Sequence, residues 1–545
     1  MKAKILLIFT IIISFTSLNA EFDVFQIALG SSTEDYANSI MQTPDNGFII
    51  AGWTTGFGAG SYDAYVAKID STGALEWSKT YGGPYGDWFR SGYCTDDGGY
   101  IFLGTFESNV STIGNLFLIK TDANGNQEWK KKIGGSSWDD GWCVQQTDDG
   151  GYILSGFTYS YSPSNGLNSY IVKTSSLGIV EWTKSVGPTN LVSNTRFIRQ
   201  TSDGGFIVSG SIGNYSLSST DMLLYKMDAS GNVQWYKTYG ETGKSWGYCA
   251  KETSDNGFIS VGYSNDYGAG QNDIIVVKTD SEGELEWSKA YGGTGSDYGM
   301  AVVENELGEF VITGFSNSFS NSNDVILFKI DNLGNVIWSK SYGGNSSDGG
   351  EVIIGTMSVE QTNTGYAFAG FTQSYGAGYR DFYITKTDEN GFSGTEGEIE
   401  FLTEDIAPTI EEPVYSVNSG GSSVNANNST SNPNTQVEII CQNTVGIGNE
   451  LIIPEFDYQL QNFPNPFNPS TTISFNIPAK DAQNAVIEIY NLKGQKIQQY
   501  TILNNQFSII WDGTDNLGKS VSSGIYLYKL KNGSYTSSKK MILMK

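Results

Sequence analysis

Acidic residues followed by aromatic ones recur in this sequence in a pattern that could serve a ligand. Asp35-Tyr36, Asp87-Trp88 and Asp297-Tyr298 are such pairs, and Asp139 and Trp246 stand in the matching columns. Aromatic rings stack on the apolar faces of pyranose sugars, and carboxylates accept hydrogen bonds from hydroxyls. These residues are therefore the candidate face for a glycan or protein ligand. A residue repeated along a chain can also serve the repeat itself, with Asp accepting hydrogen bonds from turn amides. Glycan cleavage is the competing chemistry, and it needs two carboxyl groups roughly 5–10 Å apart in distinct environments. No acid stands out from its column, so binding without catalysis is the expectation and a polysaccharide-active enzyme the alternative.

Other chemistries are excluded by what is missing. The chain has no His and no Cys-x-x-Cys pair. That removes Ser-His-Asp and Cys-His nucleophiles, histidine bases and zinc-finger-type sites. Asp122-Ala123-Asn124-Gly125-Asn126 is too short for a calcium loop of the EF-hand kind and reads first as a hairpin turn. No catalytic residue, metal or cofactor is expected.

The pairs must be positioned by a frame, and the frame is a repeat. An aromatic after a Gly-rich turn recurs at Phe48, Tyr100, Tyr152, Phe206, Phe258, Phe310 and Tyr366. Lys recurs at 68, 120, 173, 226, 278, 329 and 386, and Trp at 77, 129, 182, 235, 287 and 338. A period near 50 residues with several short strands predicts β-propeller blades. One unit reads as four strands: Gly141–Thr147, Tyr152–Gly156, Tyr170–Lys173 and Val180–Lys184, with Asp149-Gly150-Gly151 as the first tight turn. The Trp column predicts packing between adjacent sheets. The seventh copy lacks a Trp strand, whereas Phe25 lies 52 residues before Trp77. The expected fold is thus all-β: a seven-bladed propeller over 21–391, whose N-terminal strand supplies the missing fourth strand of the last blade. Closing the ring this way removes two sheet edges.

The blade layout resembles kelch-type propellers, with Asp-Gly-Gly before an apolar strand, then an Asp-led strand, then a Trp strand. It departs from them in having single glycines such as Gly52, Gly156 and Gly262 where a Gly-Gly pair is usual. Asp280-Ser281-Glu282-Gly283 running into Trp287 resembles the Asp-box hairpin of sialidases, but the glycine is one place late. Only four arginines exist (Arg90, Arg196, Arg199 and Arg380), and nothing supports a sialidase site.

From about 392 to 455 the period fails, and polar tracts such as Asn418–Ser423 and Asn425–Thr430 predict a low-complexity linker, with Val437–Cys441 as an isolated strand docked on the propeller. Alternating strands resume after 456, at Thr472–Ile477, Ala485–Tyr490 and Ser523–Leu530, and predict a small Ig-like β-sandwich over 456–545. Phe463–Thr471, Tyr490–Gln495, Trp511-Asp512-Gly513, Ser523–Tyr526 and the basic end Lys539-Lys540-Met541 resemble a type A sorting domain of the type IX secretion system. The resemblance implies passage through the inner membrane, then export across the outer one by the type IX machinery. An ordinary Ig-like spacer is the alternative.

The N-terminus agrees with export. Lys2 and Lys4 precede an apolar run from Ile5 to Phe15, and small residues follow up to Ala20. These parts predict a signal peptide over 1–20, cut between Ala20 and Glu21, with an uncleaved anchor as the alternative. No transmembrane segment is expected in the mature chain, which is placed outside the cell or on its outer surface.

The net charge is −26, yet from Gln461 onward nine Lys stand against three Asp and one Glu, a balance of +5 that leaves −31 on the remainder. An acidic body disfavours nucleic acid and anionic membranes. Cys94, Cys143, Cys249 and Cys441 form no disulfide framework, and Cys143 and Cys249 occupy one repeat position, as small buried side chains do.

Overall fold

The repeat unit folds as an antiparallel sheet because its polar and apolar residues alternate between Gly-containing turns. In the first copy the strands are Asp35–Gln42, Phe48–Thr54, Asp63–Ile69 and Leu75–Gly82, paired in sequence order. In this computed structural model the described residues are 23–544 apart from 108–113, 163–165, 189, 215–217, 351–357, 395, 400, 412–415, 419–421, 426–428, 432–435, 445–460, 464–466, 476–484, 492–494, 503–507 and 533–534. The predicted signal peptide and its cleavage point lie outside them. Among the described residues there is no helix, and none therefore that could cross a membrane.

Five further four-stranded sheets follow, over Asp87–Gly134, Asp139–Gly187, Val192–Gly240, Ser245–Gly292 and Asp297–Tyr342. A seventh is built from both ends of the unit. Asp348–Gly349 and Ser358–Thr362 pair with Gly365–Thr372, which pairs with Asp381–Asp388, and Asp23–Gly30 completes the series. Each Lys of the repeat stands opposite its Trp, as Lys68 does Trp77 and Lys278 does Trp287. In the seventh sheet Lys386 stands opposite Phe25. Phe25 thus occupies the place of the absent Trp, and its ring meets Phe48 of the first sheet as Trp77 meets Tyr100 of the second.

Packing explains the repeated columns. The second and third strands are buried on both faces, which is why they read as apolar runs. The Trp side chains are half-buried and rest on the aromatic that opens the next sheet's second strand, with centroid distances of 5.9 Å for Trp129–Tyr152 and 5.7 Å for Trp235–Phe258. The Lys column is buried, and it tethers turns. Lys68 reaches Asp45 at 3.1 Å, Glu76 at 2.9 Å and the Ile69 carbonyl at 3.1 Å. Lys173 and Lys278 repeat the arrangement with Asp149 and Glu181, and with Asp255 and Glu286. A buried ammonium is tolerable only when paired in this way. Cys143 and Cys249 are buried free thiols, and Cys94 is a half-buried one.

The stretch that composition marks as a linker behaves differently. Between 397 and 444 the described residues form seven strands, each added to the free edge of a different sheet. Gly397–Glu398 joins the sixth sheet, Leu402–Asp405 the fifth, Thr409–Glu411 the fourth and Ser416–Asn418 the third. Ser422–Asn425 joins the second, Ser429–Ser431 the first, and Gln436–Thr444 pairs with Asp23–Gly30 of the seventh. The strap visits the sheets in reverse order. Low-complexity composition does not forbid this, because an exposed edge offers backbone hydrogen bonds that polar residues take without burying a side chain.

The chain divides into two compact units, Met1–Gly446 and Ile447–Lys545. The second holds a three-stranded sheet of Gln461–Phe463, Thr471–Ser474 and Ser508–Trp511. Its other sheet has four strands, Lys496–Thr501, Val486–Asn491, Gly524–Asn532 and Tyr535–Leu543. Trp511, Ile487, Ile489, Tyr528 and Leu530 fill the core with Phe467, whose ring lies 5.5 Å from that of Trp511. Glu488 is held below the usual carboxylate range, at about 2, by hydrogen bonds from Lys531, Tyr490 and Lys496.

Candidate functional site

The first strand of each of the first six sheets carries a β-bulge at the same place. Ala37 faces Gly52 and Ser39 faces Ala51, so Asn38 is the extra residue. Arg90, Trp142, Arg196, Tyr248 and Met300 take that place in the next five sheets. The bulge brings two backbones together. A Cβ on Gly52 would strike the Tyr36 carbonyl oxygen, and one on Gly104, Gly156, Gly210, Gly262 or Gly314 would strike the corresponding oxygen in its own sheet. The single glycine that departs from the kelch pattern is therefore a requirement of the bulge.

Successive first strands pack against one another, and those of the first and sixth sheets both meet Ser358–Thr362 of the seventh. The six bulged side chains consequently line one cavity of about 70 Å³. They are Asn, Arg, Trp, Arg, Tyr and Met, whereas the Lys, Gly and Trp columns hardly vary. The scaffold repeats and the lining does not.

The lining is cationic in an acidic protein. Arg90 and Arg196 are buried, with guanidinium carbons 4.2 Å and 3.7 Å from the Trp142 ring centroid, so one indole serves two cations. Arg90 pairs with Asp140 at 3.9 Å, and Thr105 donates a hydrogen bond to the same carboxylate. Burial raises the Asp140 pKa, while Arg90 and Arg196 pull it back. Burial also lowers Arg90 to about 10. Deeper along the first strands, Arg199 packs by Phe197 and Tyr93, and Glu360, raised by burial, feels the opposing charge of Lys251 and Arg199. Nε and Nη1 of Arg196 and Nη1 of Arg199 are buried and meet no hydrogen-bond acceptor among the described residues.

The acids of the candidate face are placed elsewhere. Asp35, Asp87, Asp139 and Asp297 are each fully buried and hold the turn before their own strand. Asp35 accepts from the Ser31 amide at 2.6 Å, Asp87 from Gly83 at 2.7 Å, Asp139 from Gly135 at 2.7 Å and Asp297 from Gly293 at 2.9 Å. They stand one to a sheet and form no shared cluster. The loops Phe57–Gly60, Tyr267–Gly270 and Tyr375–Gly378, which repeat one Gly-Ala-Gly sequence, are likewise held by the acid opening the third strand, as Ala59 and Gly60 are by Asp63 and Gly270 is by Asp273. Among the aromatics, Tyr36 is buried against Trp53 at 4.3 Å, and Tyr298 lies between Tyr263 and Phe315, at 4.8 Å from each. Trp88 and Trp246 are half-buried and flank the arginines, at 5.7 Å from Arg90 and 5.4 Å from Arg196.

Arg90, Trp142 and Arg196 were not singled out as site residues from the sequence. The usable signal was the rarity of Arg: three of the four lie on first strands. Among the described residues no three of His, Cys, Asp and Glu gather as a metal set, and Asp122 accepts the Asn124 and Asn126 amides as a hairpin turn does.

Residues 461–544 match the family of secretion system C-terminal sorting domains. The protein is accordingly exported, to the medium or to the outer cell surface. No curated protein matches the chain. Among solved structures it is similar to PorZ, an essential bacterial surface component of the type-IX secretion system of Porphyromonas gingivalis, at 8% identity over 96% of this chain and 100% of that one, with a TM-score of 0.15. A biofilm associated protein domain matches at 8% identity over 96% of each chain, with a TM-score of 0.13. At such scores neither superimposes on this chain.

Proposed function

We propose that this is a non-catalytic surface binding or adhesion protein, a seven-bladed β-propeller of kelch-like layout that binds its ligand at the centre of the ring. The carrying observation is the bulge column, where a repeated scaffold aims six dissimilar side chains, two of them Arg, into one cavity. Contact between first strands in succession supports the ring, with Asp23–Gly30 completing the seventh blade. Ligands of such folds sit where the inner strands converge. The C-terminal unit, read as an Ig-like sandwich of two sheets, routes the chain through the type IX machinery.

The test is a glycan array and a surface-protein capture assay with the full chain, beside an activity screen on polysaccharides. Specific capture weakened by Trp246→Ala or Arg196→Gln is expected. Turnover abolished by a single acid substitution, such as Asp140→Asn, would overturn the reading.

A further inference from the structure

Arg196 is the most informative buried charge in the protein. It is 6% exposed, and no carboxylate among the described residues forms an ion pair with it. Two of its nitrogens meet no acceptor among those residues, although Trp142 and Trp246 hold the guanidinium in place from the sides. A buried cation is costly unless an anion or ordered water completes it. Asp140 acts on it only through space, because that carboxylate is in contact with Arg90 and Thr105.

The adjoining space limits the ligand. A cavity of about 70 Å³ is under half of the roughly 150 Å³ that accommodates a benzene ring. It admits a carboxylate and a water, and excludes a sugar ring. The ring must remain outside the cavity, and the half-buried rings next to its arginines are Trp246, 5.4 Å from Arg196, and Trp88, 5.7 Å from Arg90. Guanidinium groups match carboxylates in planarity and hydrogen-bond direction, and a dry site strengthens that match.

We infer that the central cavity is a recognition site for an acidic sugar of the uronate class, with the carboxylate on Arg196 and the pyranose face on Trp246. This names the ligand class for the proposed binding site and rests on that reading. The −26 net charge of the protein makes the site selective in a further sense: a polyanion is repelled over most of the surface and favoured only beside the arginines of the cavity.

The experiment is calorimetric titration of the full chain with glucuronate, glucuronamide, glucose, acetate and inorganic phosphate at low ionic strength. Glucuronate should bind at least about tenfold more tightly than the neutral amide or glucose, and more tightly than acetate, which lacks a ring. Arg196→Gln should abolish the preference for the acid. Arg196→Lys keeps the charge and should still lose about tenfold, with an unchanged circular dichroism spectrum. Trp246→Ala should weaken glucuronate by a larger factor than it weakens acetate. Equal binding of glucuronate and glucose, a preference for phosphate, or wild-type binding by both Arg196 variants would each overturn the inference. Failure of glucuronate with capture of another glycan or protein intact overturns this inference alone. Failure of every ligand in both assays overturns the binding reading beneath it.

Discussion

Lys278 places its ammonium 2.9 Å from Asp255, joining the strand that carries the Lys to the turn before the neighbouring strand. Glu286 takes the same ammonium from the fourth strand at 2.8 Å. One buried cation thereby fixes three of the four strands of its sheet. Lys278→Met should cost about 1–3 kcal/mol, since both acids are left near the surface and can be solvated. Asp255→Asn should cost less, because Glu286 still satisfies the Lys. Urea denaturation midpoints of the two variants check the order.

The bulge makes a second expectation. Gly262→Ala drives a methyl group into the Trp246 carbonyl oxygen, so the strand must shift or the bulge must flatten. The cost should be about 2–3 kcal/mol, with altered tryptophan emission as Trp246 moves. Gly98→Ala is the comparison: its φ is +82° but no atom lies within 4 Å of the added carbon, and about 1 kcal/mol is expected.

Deleting residues 23–30 should abolish the cooperative melt of the first unit. That strand buries Val24, Phe25, Ile27 and Leu29 between two others, at about 1.5–3 kcal/mol for each side chain. The sum is of the order of the whole stability of a domain. A truncated chain melting at the original temperature would contradict the role assigned to the strand.

Stability should peak near pH 4 and fall on either side, most of the upper loss coming between about pH 4 and pH 6. Asp273 and Asp324 are pushed up to about 6 by burial, with Asp297 and Asp348 adding repulsion. Their folded values exceed the unfolded one, so the stability they confer when protonated is lost as pH rises through 6. Burial opposes the charge of Asp203 and Asp255 too, but hydrogen bonds from Lys226 and Thr201, and from Thr253 and Lys278, outweigh it and hold both at about 2. Their contribution is present above pH 4 and lost as pH falls toward 2. Thermal melts from pH 3 to 8 should trace both limbs, and Asp273→Asn with Asp324→Asn should flatten the upper one.

What the sequence made legible depended on whether a residue acts on its own sheet. The Phe, Lys and Trp columns were readable because each does one job seven or six times. The matching of Phe25 to the Trp column was readable from spacing alone, and the register with Lys386 bears that spacing out. Six of the seven strap strands were hidden because two- to four-residue polar strands bind through backbone atoms, which composition does not record; the seventh, Gln436–Thr444, contains the strand read at Val437–Cys441. The arginine cluster was hidden for the opposite reason. Arg90, Trp142 and Arg196 meet from three different sheets, and comparing copies for what they share passes over the position where they differ. The acids of the face have the other role the sequence offered for them: each accepts hydrogen bonds in the turn before its own strand.

The backward course of the strap has a kinetic consequence. Its first contact, Gly397 with Ser341, closes a loop of 56 residues, and its last, Thr444 with Asp23, one of 421. Closed directly from an open chain, the longer loop would cost only about 2 kcal/mol more, but stepwise addition divides even that cost, since each pairing brings the next edge within reach. The strap is then a zipper that starts beside the last sheets made and runs back toward the first. Its final segment covers the strand formed by the earliest described residues, so the oldest edge in the chain waits longest for its partner. Folding order is thus written into the direction of wrapping, and non-local pairing of this kind is the slow step in β-rich chains.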